Sequence, residues 1–173
     1  MKKIFIVIII IIGIIIFKDS SLSESIIPDE AIRLRVLANS NTIDDQNIKR
    51  KVSEELQIEM YDKLKDTNNI EDARVIIKNN LDSFRNNINN VLVEEDYKLG
   101  FNIDFGKHYF PNKEYKGVTY KEGYYESILV KLGSGKGNNW WCVLFPPLCL
   151  IEAEEASEVE YKFFIQELID KYF

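Results

Sequence analysis

The sequence predicts a single α+β domain, or a two-layer α/β domain. We expect a mainly antiparallel sheet of about four strands, covered by two long amphipathic helices plus a C-terminal helix. Apolar residues recur at helical spacing in the first half of the chain, whereas apolar and polar residues alternate in the second half. The chain has 173 residues and no long linker, which suits one core and is too short for two well-packed domains.

Two long helices are expected in the first half of the chain. Asp44 or Asp45 can cap the first helix, whose apolar residues recur every four positions as far as about Lys65. The asparagines at 68–69 break this pattern and can cap a second helix, which extends to about Val93. Both helices have a charged face opposite the apolar one, so they should cover a sheet.

Four strands and a closing helix complete the predicted domain. Apolar and polar residues alternate over 32–38, 97–105 and 124–132, which is typical of strands with one buried face. The short apolar segment 140–145 is stopped by proline, which has no N–H to donate to a sheet. Residues 161–173 have apolar side chains at helical spacing and predict a C-terminal helix.

The glycine-rich segment 133–137 superficially resembles a phosphate-binding loop. The Walker pattern, however, needs four residues between its first glycine and its Gly-Lys pair, followed by Ser or Thr for magnesium. Here the spacing is wrong, and Gly137 occupies the position of the magnesium ligand. The sequence therefore predicts a hairpin connection between two strands, and no nucleotide.

The N-terminus has the pattern of an export signal. Two lysines precede the apolar run 4–17, which is shorter than the roughly 20 residues of a membrane span but fits the core of a signal peptide. A small-x-small pattern at 21–23 suits cleavage by a signal peptidase. We expect residues 1–23 to be a signal peptide, or else an N-terminal anchor in contact with the membrane, and residues 24–173 to form the exported domain.

The charge of the chain argues against two classes of partner. The whole chain has a net charge of −6, and residues 24–173 carry 19 basic and 27 acidic side chains. An acidic exported domain has no electrostatic reason to bind nucleic acid or the headgroups of anionic lipids. We expect neither as a partner of this domain.

Cys142 and Cys149 are the two cysteines of the chain. In an exported protein such a pair commonly forms a disulfide, and closing so short a ring would contribute roughly 2.5 kcal/mol, less any strain. Two buried free thiols are the alternative, since cysteine is common in apolar surroundings. We expect the disulfide, unless export leads to a reducing compartment.

The sequence shows no catalytic or metal-binding pattern. His108 is the only histidine, so a Ser-His-Asp or Cys-His hydrolase would depend on it alone. A structural zinc site would be incomplete with one histidine and two cysteines. The carboxylates lie in charged runs typical of helix caps and linkers. We therefore expect no catalytic residue, no metal and no cofactor, and we predict that the protein is not an enzyme.

Aromatic residues and prolines concentrate in the segment 140–149. Trp140 and Trp141 are adjacent in a predicted strand, so both enter a core only if the sheet is covered on both sides. Otherwise one ring is displayed or packs under a local loop. Phe145 begins a stiff Phe-Pro-Pro-Leu stretch that would lose little entropy on docking. The segment is either a docking surface or a core strand followed by a proline corner.

Three blocks of sequence occur together in this chain: 32–40 followed by Asp45-Gln46 and Lys49; 106–115; and 133–149. Together they resemble the stage II sporulation protein R family of spore-forming Firmicutes, over nearly all of the exported part, and the third block is the most specific. The chain departs from the family pattern at Asn41, where an aspartate is expected, and at Leu129, where an arginine is usual. A partner contact made by either charge would be missing here.

The resemblance implies a signalling protein. In this family the protein is made in the forespore and exported into the space between the two membranes of the sporangium. There it triggers a mother-cell membrane aspartic protease, the sigma-E factor-processing peptidase, which cleaves the pro-form of sigma-E. The alternatives are an exported cell-envelope hydrolase and a structural envelope protein.

The residues expected to contact the partner are those of the stiff aromatic segment and two arginines of the first strand: Trp140, Trp141, Phe145, Pro146, Pro147, Leu148, Arg33 and Arg35. The sequence leaves open whether the two arginines are exposed on the sheet face or pair with carboxylates of the first helix.

Overall fold

The computed structural model describes residues 30–115, 118–148 and 169–172. Within them it contains two long helices and six strands, in the order β1 (Ile32–Leu37), α1 (Ile43–Leu64), α2 (Ile70–Glu94), β2 (Phe101–Phe110), β3 (Lys113–Tyr115), β4 (Val118–Tyr120), β5 (Gly123–Leu132) and β6 (Asn139–Phe145). Residues 169–172 are helical, as predicted, and the rest of the expected C-terminal helix lies outside the described residues. So do the predicted signal segment 1–23 and Cys149.

The main sheet has four strands in the order β2-β5-β1-β6. β5 pairs antiparallel with β2, β6 pairs antiparallel with β1, and β1 and β5 are parallel. β3 and β4 form a separate two-stranded hairpin. The predicted α+β domain with a mainly antiparallel sheet of about four strands and two long covering helices is confirmed. The parallel pair at its centre was not expected.

The main core lies between the helices and one face of the sheet. α1 buries residues every four positions, as its sequence pattern predicted, and α2 buries a matching stripe. The buried side chains are Ile48, Val52, Leu56, Met60 and Leu64 from α1, Ala73, Ile77, Phe84, Ile88 and Leu92 from α2, and Leu34, Val36, Ile103, Ile128, Val130, Leu132 and Leu144 from the sheet. Ser83 and Asn87 of α2 also donate hydrogen bonds of 2.5 and 2.6 Å to the carboxylate of Glu59 on α1.

The helix caps agree with the sequence at one helix and differ at the other. Asn69 caps α2, because its side-chain oxygen accepts a 2.9 Å hydrogen bond from the backbone N–H of Asp72. The cap of α1 is Thr42, whose hydroxyl accepts from the N–H of Asp45 at 3.3 Å. The prediction of Asp44 or Asp45 was therefore wrong by two to three residues. Both carboxylates lie in the first turn, where the helix dipole favours negative charge.

β2 begins four residues later than its alternating sequence predicted. The chain between α2 and β2 is used to end the helix: Asp96 has φ +50°, and the N–H of Tyr97 donates to the Leu92 carbonyl at 2.8 Å. A backbone that closes the helix in this way is not extended. The strand pattern at 97–100 therefore forms no sheet.

The glycine-rich segment is not a hairpin connection, so that prediction was wrong. β1 lies between β5 and β6 in the sheet, and the segment 133–138 crosses the end of β1 to join them. Alternation of apolar and polar residues fixes which face of a strand is buried, but not which strand is its neighbour.

Candidate interaction site

The segment 133–138 packs directly on the turn that follows β1. The backbone N–H groups of Lys136 and Gly137 donate to the carbonyls of Asn39 and Ala38 at 3.2 and 2.8 Å. Ser134 adds two bonds, from its N–H to Asn39 Oδ1 at 2.9 Å and from its hydroxyl to the Asn39 carbonyl at 2.8 Å. The loop is thus attached to the turn mainly through backbone groups.

Glycine is required at two positions by this close approach. A Cβ on Gly137 would collide with the backbone carbonyl of Ser40. Gly133 has φ +54°, and a Cβ there would lie 2.6 Å from Asn39 Oδ1. Both sites exclude a side chain for steric reasons, and Gly133 also has a left-handed backbone. The glycines of the third sequence block therefore serve contact with the first block.

The start of α1 joins the same set of contacts. The Asp45 carboxylate accepts hydrogen bonds from Ser40 Oγ at 2.5 Å and from Asn39 Nδ2 at 2.9 Å. The Ser40 hydroxyl, with help from Asn39, holds the pKa of Asp45 below its usual value. Gln46 Nε2 donates to the Ser40 carbonyl at 2.9 Å, and Lys49 Nζ donates to Gln46 Oε1 at 2.6 Å. We call residues 38–42, Asp45, Gln46, Lys49 and 133–138 the turn–loop network.

A second set of contacts lies on the sheet face opposite the helices. Arg33 is 1% exposed, and its guanidinium carbon lies 3.3 Å from the centre of the Tyr125 ring and 5.4 Å from that of Phe110. Trp141 packs edge-to-face on Phe110 and on Tyr120, with ring centres 5.7 and 4.8 Å apart. We call Arg33, Phe110, Tyr120, Tyr125 and Trp141 the arginine–aromatic cluster. It forms a small second core beneath the β3–β4 hairpin.

Arg35 lies beside this cluster. Its Nη1 donates to the Tyr109 carbonyl at 2.6 Å. With the Asn139 amide turned so that its oxygen faces the guanidinium, Nη2 and Nε donate to Oδ1 at 3.1 and 3.0 Å. Burial lowers the pKa of Arg35. Both Arg33 and Arg35 therefore lie on the face away from α1, half-buried or fully buried among aromatic residues.

The two tryptophans point to opposite faces of β6, as their adjacency predicted. Trp140 pairs with Val36 of β1 and packs against the helix-covered core, whereas Trp141 pairs with Arg35 and lies under the β3–β4 hairpin. Both rings are partly buried. The sequence left open whether one ring is displayed or packs under a local loop. Trp141 packs under the β3–β4 hairpin.

The proline corner after β6 is largely inside the protein. Phe145 is fully buried against the Tyr172 ring, with ring centres 5.1 Å apart, and Leu148 is 6% exposed. Pro146 is buried and Pro147 is half-buried. These side chains belong to the interior of the isolated protein, and a role in partner binding stays a prediction for them. Cys142 is not a free thiol, but its expected pairing with Cys149 also stays a prediction.

His108 has two polar partners that the sequence did not reveal. Its Nδ1 lies 2.8 Å from Ser127 Oγ, and its Nε2 lies 3.0 Å from Asp104 Oδ2. The residue types are those of a hydrolase triad, but Ser127 is 0% exposed. A nucleophile must reach its substrate. The arrangement as it stands serves to join β2 and β5.

In the described ranges 30–115, 118–148 and 169–172, no group of three or more His, Cys, Asp or Glu side chains could hold a metal ion. None of the helices in these ranges combines the length and apolar character needed to cross a bilayer.

The geometry defines a small α+β domain with two contact networks around β6. Comparison with known proteins identifies its family. The family model of stage II sporulation protein R matches residues 28–155, so the chain belongs to this family. Stage II sporulation protein R of Bacillus subtilis (strain 168) is 41% identical over 135 residues, which cover 78% of this chain and 60% of that relative. No solved structure matches. Family membership assigns the chain a role in sporulation.

Proposed function

We propose that this protein is an exported signal that activates the membrane aspartic protease responsible for processing pro-sigma-E. It would thereby couple gene expression in the forespore to that in the mother cell. The observation that carries the proposal is the family match over residues 28–155, which include all three diagnostic blocks. The chain spans 60% of the length of its Bacillus subtilis relative. That this chain has the complete activity of the relative is therefore part of the proposal.

The proposed mechanism is a shift of the protease between inactive and active states. A ligand shifts such an equilibrium only if it binds the active state more tightly. A change from about 1% to about 99% active would need roughly a 10⁴-fold difference in affinity. A rigid ligand loses little entropy on docking. The turn–loop network at the start of β6 and the arginine–aromatic cluster on the sheet face away from the helices would supply that rigidity.

The proposed place of action is the space between the forespore and mother-cell membranes. Support comes from the apolar run 4–17, which is suited to export, and from the acidic composition of residues 24–173. The proposal holds whether residues 1–23 are removed as a signal peptide or retained as an anchor. The Cys142–Cys149 disulfide belongs to the same proposal, because it requires an exported, oxidising location.

Co-expression in a host that does not sporulate tests the proposal. The full chain, the protease and the pro-sigma factor are produced together, and cleavage of the pro-sigma factor is followed on immunoblots. We expect cleavage only when all three are present, and none with a protease that lacks its catalytic aspartate. Equal cleavage without the chain would refute the proposal.

An exported hydrolase is the second candidate, favoured by the contacts among Ser127, His108 and Asp104. Catalysis would require the Ser127 hydroxyl to be reachable, and it is fully buried. We therefore propose a structural role for the three residues. A His108→Ala variant that folds and still activates the protease would support this role. Loss of protease activation without loss of stability would favour the hydrolase.

A further inference from the structure

Three cationic side chains each lie against one of the residues 138–141, at the start of β6. Arg35 donates to the Asn139 side chain, and Lys49 Nζ lies 3.5 Å from the Asn138 carbonyl. Lys113 Nζ lies 5.1 Å from the centre of the Trp141 ring. Arg35 and Lys49 are half-buried, and Lys113 is exposed at the rim. We call Arg35, Lys49 and Lys113 the cation site, with the Trp141 ring as its apolar wall.

The cation site has only neutral partners within the part of the chain that the structure describes. Arg35 donates to the Tyr109 carbonyl and to Asn139, and Lys49 donates to the side chain of Gln46 and to the Asn138 carbonyl. None of the three cations forms an ion pair with a described carboxylate, whereas Lys51, Lys65 and Arg74 do so. Uncompensated cations are notable in a chain of net charge −6.

The surroundings of the cation site disfavour its positive charges. Burial, followed by repulsion from Lys113, lowers the pKa of Lys49. The Lys113 side chain is exposed overall, but partial desolvation of its ammonium group lowers its pKa. Burial lowers the pKa of Arg35. An anion placed among the three groups would offset both the repulsion and the loss of hydration.

We propose that the cation site binds a carboxylate side chain from an acidic segment of a partner protein. A guanidinium and two ammonium groups offer charge-assisted hydrogen bonds to its oxygens. The Trp141 ring offers an apolar surface to the methylene groups of an aspartate or glutamate. Because the proposal concerns the partner's chemistry, it deepens the signalling function proposed above and rests on it.

A single carboxylate suits this site better than an extended anionic surface. The three cations flank residues 138–141, whereas the chain as a whole carries a net charge of −6. A membrane surface or a phosphate polymer would meet that overall repulsion over a wide area. A carboxylate on a narrow peptide meets mainly the local cations, since salt screens charges beyond about 8 Å.

Binding can be measured with the full chain in neutral detergent and a fluorescein-labelled hexaglutamate peptide, by fluorescence polarisation. We expect saturable binding that weakens at high salt, and none for a neutral hexaglutamine peptide. The test variant is the double change Lys49→Gln and Lys113→Gln. Its control is Lys63→Gln with Lys78→Gln, which removes the same charge from exposed lysines on α1 and α2.

The double change in the cation site should weaken binding at least tenfold, and the control pair less than twofold, because each partly exposed contact is worth up to about fivefold. Lys49 also belongs to the turn–loop network, so Lys113→Glu alone serves as a second variant, since Lys113 is exposed. Equal binding by the wild type, both cation-site variants and the control would overturn the proposal.

Two additional measurements test whether the cation site is instead occupied by the chain's own acidic segment or by a lipid surface. If the peptide binds only after the five glutamates within 152–160 are changed to glutamine, the chain's own acidic segment fills the site and the proposal fails. If phosphatidylglycerol vesicles bind through the same lysines more tightly than the peptide does, a lipid surface is the occupant, and the proposal also fails.

The co-expression assay distinguishes failure of this proposal from failure of the proposed function. If cleavage of pro-sigma-E requires the chain but is unaffected by Lys113→Glu and by the double change, the cation site is not the docking site, and the function stands. Cleavage that does not require the chain refutes the function, whatever the peptide measurement shows. We expect cleavage to fall at least fivefold with the double change and to be unchanged with the control pair.

Discussion

The turn–loop network and the arginine–aromatic cluster stabilise the same strand, β6, by different means. The network attaches the start of the strand through backbone hydrogen bonds and glycines that leave no room for a side chain. The cluster covers the sheet face away from the helices, where aromatic rings in edge-to-face contact surround a buried guanidinium. Backbone contacts cannot adjust to a larger residue, whereas rings can repack. The comparison therefore predicts that the network tolerates substitution less well than the cluster.

The largest effect is expected in the turn–loop network. Gly137→Ala places a methyl group against the Ser40 carbonyl and should lower the free energy of unfolding by about 3 kcal/mol, the upper range for overpacking. Gly100→Ala is the matched control, because nothing lies within 4 Å of its added Cβ. Urea denaturation of both variants measures the difference. Equal losses of stability in the two variants would show that the loop can move away from the turn. The network would then tolerate substitution better than we predict.

A somewhat smaller loss is expected in the arginine–aromatic cluster. Trp141→Ala removes the ring that packs on Phe110 and Tyr120 and should cost about 2–3 kcal/mol, less than a fully buried tryptophan. Tyr124→Ala is the control, since this ring is 72% exposed and should cost under about 1 kcal/mol. Thermal melting compares them. If Trp141→Phe restores most of the loss, the cluster repacks as proposed; if it restores none, the cluster is as rigid as the network.

The pH dependence of stability reports on the contribution of the Asp45 carboxylate to the turn–loop network. The folded-state pKa of Asp45 is lowered, so its carboxylate contributes stability that is fully present above the unfolded pKa and is lost as pH falls through the folded pKa. Asp45→Asn should therefore cost about 1 kcal/mol at pH 7. This deficit relative to the wild type should disappear in acid. Asp44→Asn, at an exposed position, is the control, and urea unfolding between pH 2 and pH 7 decides whether the deficit depends on pH.

A loss of stability no larger than that of Asp45→Asn is expected at His108, outside both regions. His108→Ala removes hydrogen bonds to Ser127 and Asp104 and should lower stability by about 1 kcal/mol, with no effect on protease activation. Melting curves and the co-expression assay on the same variant test both parts. Full stability with abolished activation would contradict the structural role.

Sequence periodicity predicted the positions of the helices and strands better than it predicted which strands are adjacent in the sheet. Four-residue spacing located α1, and alternation located β1 and β5, because burial on one face leaves a periodic trace. Alternation could not place β1 between β5 and β6. It also failed at 97–100, where closure of α2 overrides the strand pattern.

The candidate site was predictable only in part. Adjacency in a strand correctly placed Trp140 and Trp141 on opposite faces of the sheet. The partners of the segment 133–138 lie about 95 residues away in the turn after β1, and local sequence holds no signal for such a contact. Phe145 illustrates the consequence of this missing signal. Its complete burial means that Phe145→Ala would reduce folding and activation together, so it cannot report on partner contact.

Activation of the protease by this chain can be measured as the initial rate of pro-sigma-E cleavage at increasing amounts of full chain, with fixed amounts of protease and pro-sigma factor. A signal that binds the active protease predicts a rate that rises from the background and saturates once the protease is occupied. A rate that stays at the background level over the whole range, with folded chain present, would contradict the account.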